Sequence, residues 1–286
     1  MPASIRSRGS VIRSSGPTEE APETRSSRSR FVRTTAALAV AAAALAGVSS
    51  AAGATYAALG DSYSSGVGTN SYTLDSACKR SVYAYPYLWA QRHAGTSLSF
   101  VACSGAKTSD LLSKQLSAVT SSTDLVTMTI GGNDIGFANL IYQCTLSNCS
   151  AALDSTRANL ATTLTGPLDN VYTTVKSHAA FGAKIIVLGY PHVFSGASCF
   201  GTLGISSTEE AKANQLSDAL NALMATRAGI DGVTYESAIP AFTGHAVCSS
   251  SPFLNGLNLF NTGESYHPTR TGHSSGYLPL VTAVTG

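Results

Sequence analysis

Between residues 184 and 189 the chain reads KIIVLG, an almost unbroken apolar run that ends on glycine. A strand with one wet face alternates apolar and polar residues, whereas a strand covered on both faces does not. The run therefore fits the centre of a parallel sheet held between helices. Four further β-rich runs lie at 56–59, 97–102, 124–130 and 233–237. Helical patterns separate them. Residues 109–119 place Leu111, Leu112, Leu116 and Val119 on one face. Residues 151–178 read as a long helix expected to break at Pro167. The clearest helix spans 208–228, with Ser207 or Thr208 as its cap, Glu209 and Glu210 in its first turn, and Gly229 as its stop. Residues 268–285 form a weaker helix, interrupted by Gly272, Gly276 and Pro279. Strands alternating with helices imply one α/β domain with a central parallel sheet and helices on both faces. No linker or internal repeat divides residues 55–286.

The N-terminal 54 residues differ in kind. They hold seven arginines, then an alanine-rich apolar run at 34–48, then Ala52-Gly53-Ala54. A basic region, an apolar stretch and a small-residue site make a secretory signal peptide, here with a long basic region and cleavage expected near Ala54. Fifteen apolar residues are short for a membrane anchor. Without this segment, eleven basic and thirteen acidic residues remain, a formal charge of −2 against +2 for the whole chain. The positive sign thus belongs to the export signal, and no basic field for nucleic acid is left. With 44% hydrophobic and 12% charged residues the chain buries a full core, which excludes disorder over most of its length. A secreted monomer is expected.

All six cysteines (Cys78, Cys103, Cys144, Cys149, Cys199 and Cys248) follow the signal. An even number in an exported chain reads as three disulfides. Fifteen connectivities are possible. Cys144 and Cys149 are close enough that their mutual pairing is simplest, and sequential pairing joins Cys78 to Cys103 and Cys199 to Cys248. Neither a CxxC pair nor HExxH is present, so no metal site is expected.

In sheets of this type function gathers where strands end. After the first run comes Gly60-Asp61-Ser62-Tyr63, after the second Cys103-Ser104-Gly105-Ala106, and after the third Gly131-Gly132-Asn133-Asp134. Near the C-terminus stands Glu264-Ser265-Tyr266-His267-Pro268. A serine hydroxyl becomes a nucleophile when a base removes its proton. His267 has the pKa range for that task. Ser62, on a sharp strand-to-helix turn, points to a nucleophile at a helix N-terminus. The Asn133 amide, the Gly105 N–H and the Ser62 N–H supply three donors for an oxyanion hole. Asp61 and Asp134 flank these residues and suit loop-holding roles.

The four blocks, in this order, resemble the SGNH, or GDSL-type, hydrolases, and most closely the secreted, disulfide-bonded lipases and esterases of actinobacteria. The resemblance runs from Tyr56 to the C-terminus. It implies a flavodoxin-like α/β/α sandwich with about five parallel strands, ester hydrolysis and no cofactor. Ser62 then matches the nucleophile, Gly105 and Asn133 the oxyanion donors and His267 the base, and the six cysteines match three sequential disulfides. Two departures stand out. Tyr63 occupies a position that is leucine in the family motif. Glu264 stands where an aspartate usually supports the histidine. Either Glu264 completes a triad, or a backbone carbonyl, of Glu264 or Ser265, orients His267 in a dyad.

Other features compete. Gly272-His273-Ser274-Ser275-Gly276 fits G-x-S-x-G, but no Asp, Glu or His follows it and no strand precedes it. His273 is the alternative base. Aromatic and aliphatic residues crowd the loops near the four blocks: Tyr63, Ile135, Phe137, Tyr142, Phe194, Phe253, Leu254, Leu257, Phe260 and Tyr266. They suggest an acyl-chain groove with residues 252–260 as its wall. The expected activity is cleavage of lipid acyl esters. The alternatives are a phospholipase A or lysophospholipase, a carbohydrate acetyl esterase and, outside enzymes, a non-catalytic lipid-binding module.

Overall fold

The computed structural model describes residues 53–286, so the expected signal peptide lies almost wholly outside the described residues. Five strands appear where the β-rich runs placed them: β1 (Thr55–Ala58), β2 (Ser97–Phe100), β3 (Leu125–Met128), β4 (Lys184–Leu188) and β5 (Thr234–Glu236). They form one parallel sheet in the order β2-β1-β3-β4-β5. In β3 every residue is buried, and in β4 all but Lys184, as continuous apolar runs require.

The helices are α1 (Ser62–Ser65), α2 (Tyr85–Arg92), α3 (Thr108–Asp110), α4 (Phe137–Cys144), α5 (Ser150–His178), α6 (Ser207–Asp231), α7 (Ala238–Phe242) and α8 (Leu278–Thr285). Helices α5 and α6 pack along each other on one face, while α2 and α8 meet on the opposite one. The result is the expected three-layer sandwich. The chain leaves β1 towards β2, then returns past β1 to β3. The reversal opens a crevice above the C-terminal ends of β1 and β3, where such sheets bind ligands.

Several local expectations need correction. Helix α5 runs unbroken through Pro167. Leu160, Leu164, Leu168, Val171 and Val175 bury a continuous stripe on both sides of the proline. Pro167 itself is exposed, so water can reach the carbonyl it leaves unpaired. Helix α6 begins one residue early. Ser206 caps it in a reciprocal box with Glu209, and Gly232, not Gly229, ends it in the left-handed region. The 109–119 segment is a short α-turn followed by a π-turn over Leu111–Gln115 and a 3₁₀ turn. A second π-turn, Gly272–Tyr277, precedes α8. Among the described residues no helix is long and apolar enough to cross a membrane.

Candidate active site

The turn after β1 is built around Gly60. Its φ is +117°, and a Cβ there would lie 2.5 Å from the Thr129 carbonyl oxygen, so a side chain does not fit. The Gln115 side chain brackets the same residue, accepting from Gly60 N–H at 2.7 Å and donating to Gly60 O at 2.9 Å. Asp61 caps α1, accepting from the Tyr63 N–H at 3.0 Å and from the Thr129 hydroxyl at 2.6 Å. The Tyr190 hydroxyl donates to its other oxygen. Burial, opposed by these hydrogen bonds, pushes the Asp61 carboxyl up to about 6. Helix α1 is a single turn, so the field at Ser62 comes from a few local N–H groups rather than from a long helix dipole.

Ser62 and His267, 205 residues apart, meet here. His267 Nε2 lies 2.8 Å from Ser62 Oγ, and His267 Nδ1 lies 2.9 Å from the Ser265 carbonyl oxygen. A carbonyl can only accept, so Nδ1 carries the proton and Nε2 is left to take one from the serine. Tyr266, between the two, has a φ of +61°, which folds the Ser265 carbonyl back onto the ring. The Tyr63 hydroxyl donates to the Tyr266 carbonyl at 2.6 Å, and its ring packs against His267. Tyr63 therefore fills the departed motif position with a residue that braces the histidine turn. Burial pulls His267 down to about 4, against the Ser265 hydrogen bond, which raises it.

Glu264 faces away from His267. Its fully buried carboxylate accepts from the Gly68 N–H at 2.8 Å and from the Tyr72 hydroxyl, with Lys79 Nζ at 3.7 Å. Of the two arrangements left open by the sequence, the geometry is that of the Ser265 carbonyl.

The Asn133 side chain donates to the Ala106 carbonyl at 3.0 Å, which leaves its second N–H free. Asp134 accepts from the Thr108 hydroxyl at 2.5 Å and from the Thr108 N–H, tying the Gly105 turn to the Asn133 turn. Gly105, with φ +81°, lines a neighbouring, more open depression that shares Asn133 with the cleft described below. Among the described residues, no protein acceptor takes the amide hydrogens of Ser62 or Gly105.

Ser62, Asn133 and His267 lie in a cleft of about 270 Å³. Its apolar side is made by Phe137, Ile141 and Tyr142 of α4, with Tyr190, Val193 and Leu220. The wall is thus α4 and not residues 252–260. Phe253, Leu254 and Leu257 are drawn into the core, and Phe260 stands in solvent. Of the other anticipated groove residues, Tyr63 and Tyr266 also line the cleft, whereas Phe194 is core and Ile135 lines the neighbouring depression.

The disulfides are Cys78–Cys103, Cys144–Cys149 and Cys199–Cys248. Cys103 donates its N–H to Gly60 O, and Cys144 ends α4, so two bridges adjoin the cleft. His273 is fully buried, stacked on Tyr85, and pulled down to about 3 by burial. Ser274 lies on a π-turn, away from any strand end. Gln115, Tyr190 and Tyr72 hold the site together but belong to none of the four blocks. A buried glutamine among the leucines of 109–119 was the one local hint.

The chain matches the GDSL-like lipase/acylhydrolase family over residues 58–274. It is 46% identical to Lipase 1 of Streptomyces coelicolor over 231 residues, covering 79% of this chain and 85% of that one. The crystal structure of an extracellular lipase from Streptomyces rimosus superposes with a TM-score of 0.76 at 45% identity, covering 80% of this chain and 99% of the other. Phospholipase A1 from Streptomyces albidoflavus gives 0.76 at 42% identity, covering 81% and 99%. With the four blocks, the sheet order and these likenesses together, the chain belongs to the GDSL-like lipase/acylhydrolase family.

Proposed function

We propose that the chain is a secreted carboxyl-ester hydrolase that cleaves acyl esters of lipids through an acyl-enzyme on Ser62. His267 Nε2 removes the Ser62 proton as Oγ attacks the ester carbonyl. The oxyanion that forms accepts from the N–H groups of Ser62 and Gly105 and from the free N–H of Asn133. The protonated imidazole is steadied by the Ser265 carbonyl and returns its proton to the departing alcohol. Water, deprotonated by the same nitrogen, then releases the acid.

One observation carries this reading: the 2.8 Å Nε2–Oγ contact and the 2.9 Å Nδ1–carbonyl contact align in series at the floor of an apolar cleft. The apolar α4 wall favours acyl chains over acetyl groups. Residues 1–54 act as the export signal. That assignment agrees with three disulfides, which persist in oxidising compartments.

The test is labelling of the folded, disulfide-intact protein with an alkyl fluorophosphonate, followed by digestion and mass spectrometry. The adduct is expected on Ser62. An adduct on Ser274, or none on folded protein, overturns the reading. Hydrolysis of an acyl-chain series from acetyl upward then separates a lipid esterase from an acetyl esterase.

A further inference from the structure

Beside the cleft lies an apolar surface, built from segments without charged residues, that hydrolysis of a single ester molecule does not need. Leu146, Phe200, Leu203, Leu259 and Phe260 are all more than half exposed, Phe260 fully so. They come from three separate segments, yet contacts join them. Gly204 lies so close to Thr145 that a Cβ on it would be 2.3 Å from the Thr145 carbonyl oxygen. The Leu257 N–H donates to Gly201 O at 2.9 Å, and Gly201 and Gly256 meet backbone to backbone. The belt reaches the cleft at both ends. Tyr142, one turn before Leu146, lines it, and so do Thr262 and Gly263, just beyond Phe260.

Two further facts bear on what covers this belt. The Cys144–Cys149 bridge pins one of its segments and Cys199–Cys248 joins the other two, so the side chains are held out on a fixed frame. The segments 135–153, 193–208 and 246–263 contain no Asp, Glu, Lys or Arg. Exposed apolar patches of this kind mark interaction sites. Lys79 Nζ approaches Gly263 at one end of the belt but is paired with the buried Glu264 carboxylate, so a partner protein or anionic membrane recognised by charge would find little to pair with here. An uncharged apolar phase would.

We infer that the belt is a docking surface for the interface of neutral or zwitterionic lipid aggregates, seating the mouth of the cleft against the phase that holds the ester. This rests on the hydrolase reading above. Contact is by insertion of apolar side chains, so it is insensitive to salt. Phe181 and Ile230, exposed apolar residues that precede β4 and β5, sit at the N-terminal ends of the strands, opposite the crevice, and take no part.

The experiment uses the complete secreted protein carrying Ser62→Ala, so that vesicles stay intact, and measures co-sedimentation with phosphatidylcholine vesicles. Replacing Leu146, Phe200, Leu203 and Phe260 together by serine should weaken partitioning at least tenfold. Phe181→Ser should leave it unchanged, as should 0.5 M sodium chloride. In the Ser62 background the four-serine variant should turn over a soluble short-chain ester at the parental rate but lose activity on dispersed long-chain ester. Equal vesicle binding by parent and variant overturns the inference, as does an equal loss in Phe181→Ser. Loss of binding in salt overturns it in favour of charge recognition. A parental dimer by analytical ultracentrifugation that the four serines dissociate overturns it in favour of a second copy of this chain. Failure of soluble-ester turnover or of fluorophosphonate labelling in the parent strikes the hydrolase reading instead, so the two fail separately. Should the four-serine variant not fold, Phe260→Ser alone, on a fully exposed side chain, carries the same comparison with a smaller expected loss.

Discussion

Glu264 and Ser265 are chain neighbours with divided duties. The Ser265 carbonyl meets the histidine, while the Glu264 carboxylate collects the Gly68 amide, the Tyr72 hydroxyl and Lys79. Its work is to fasten the turn that carries Ser265 to the loop after α1. Glu264→Gln should therefore cost stability more than chemistry. The amide's NH₂ would face donors, leaving buried groups unpaired at a cost of about 1–3 kcal/mol. The kcat on a soluble ester should fall less than tenfold, with the acid limb of its pH profile moved to lower pH, because the Glu264 charge raises His267. Removing a true triad acid costs about ten thousand-fold in the serine-protease example, so a loss of that size would restore Glu264 to the catalytic group. Chemical denaturation and steady-state kinetics on one preparation read both quantities. The sequence left this choice open for a physical reason. The spacing from Glu264 to His267 is the same in both arrangements, and what separates them is the positive φ of Tyr266, a non-glycine residue that gives no signal.

At the scale of elements, β4 and the motif turns were legible and the cleft wall was not. A run of five strand residues buried between helices must be apolar throughout, and KIIVL declares it. Residues 252–260 are equally apolar, but that property does not say which of several neighbouring hollows they fill. Tertiary packing drew Phe253 and Leu254 into the core beside Phe242 and left α4, with Phe137, Ile141 and Tyr142 on one face, to line the site. Capping followed the same division. Ser206 and Glu209 complete their box one residue earlier than composition suggested, because the box is decided by side-chain reach and not by helix propensity. The role of α4 can be tested by Phe137→Ala. Burying a phenylalanine-sized apolar contact contributes about 1.5–3 kcal/mol, so kcat/KM for long acyl esters should drop about tenfold or more while acetyl-ester hydrolysis changes little. Equal losses for both would show that Phe137 supports the fold and not the chain.

Across the whole molecule, the buried ionisable groups give the protein two distinct responses to acid. Catalysis needs His267 neutral, and burial pulls it from 6.5 to about 4. One edge of the ring faces the open cleft, where water moderates that pull, so the acid limb of kcat/KM should fall between pH 6.5 and about 4, below that of a free imidazole. Stability follows proton uptake by the folded and unfolded states. His267 and His273, lowered to about 4 and about 3, bind protons in the unfolded chain before they do so in the folded one. Falling pH therefore destabilises the fold once it passes 6.5. Asp61 has the opposite sign. Raised to about 6, it takes a proton in the folded state first, and Glu210 and Asp231, also raised by burial, act in the same direction. Unfolding free energy should decline from pH 7 towards 6, and the decline should be blunted below about 6, where Asp61 protonates. Protonated Asp61 keeps its hydrogen bond with Tyr190, which in turn accepts from the Gly132 N–H beside Asn133. The oxyanion loop should then stay in place while the fold weakens. Denaturant melts and kcat/KM measured across pH 7 to 4 check this directly. A stability curve that drops ever more steeply below pH 6 would mean that Asp61 is ionised in the folded protein, and that its burial is offset by the Tyr63, Thr129 and Tyr190 donors.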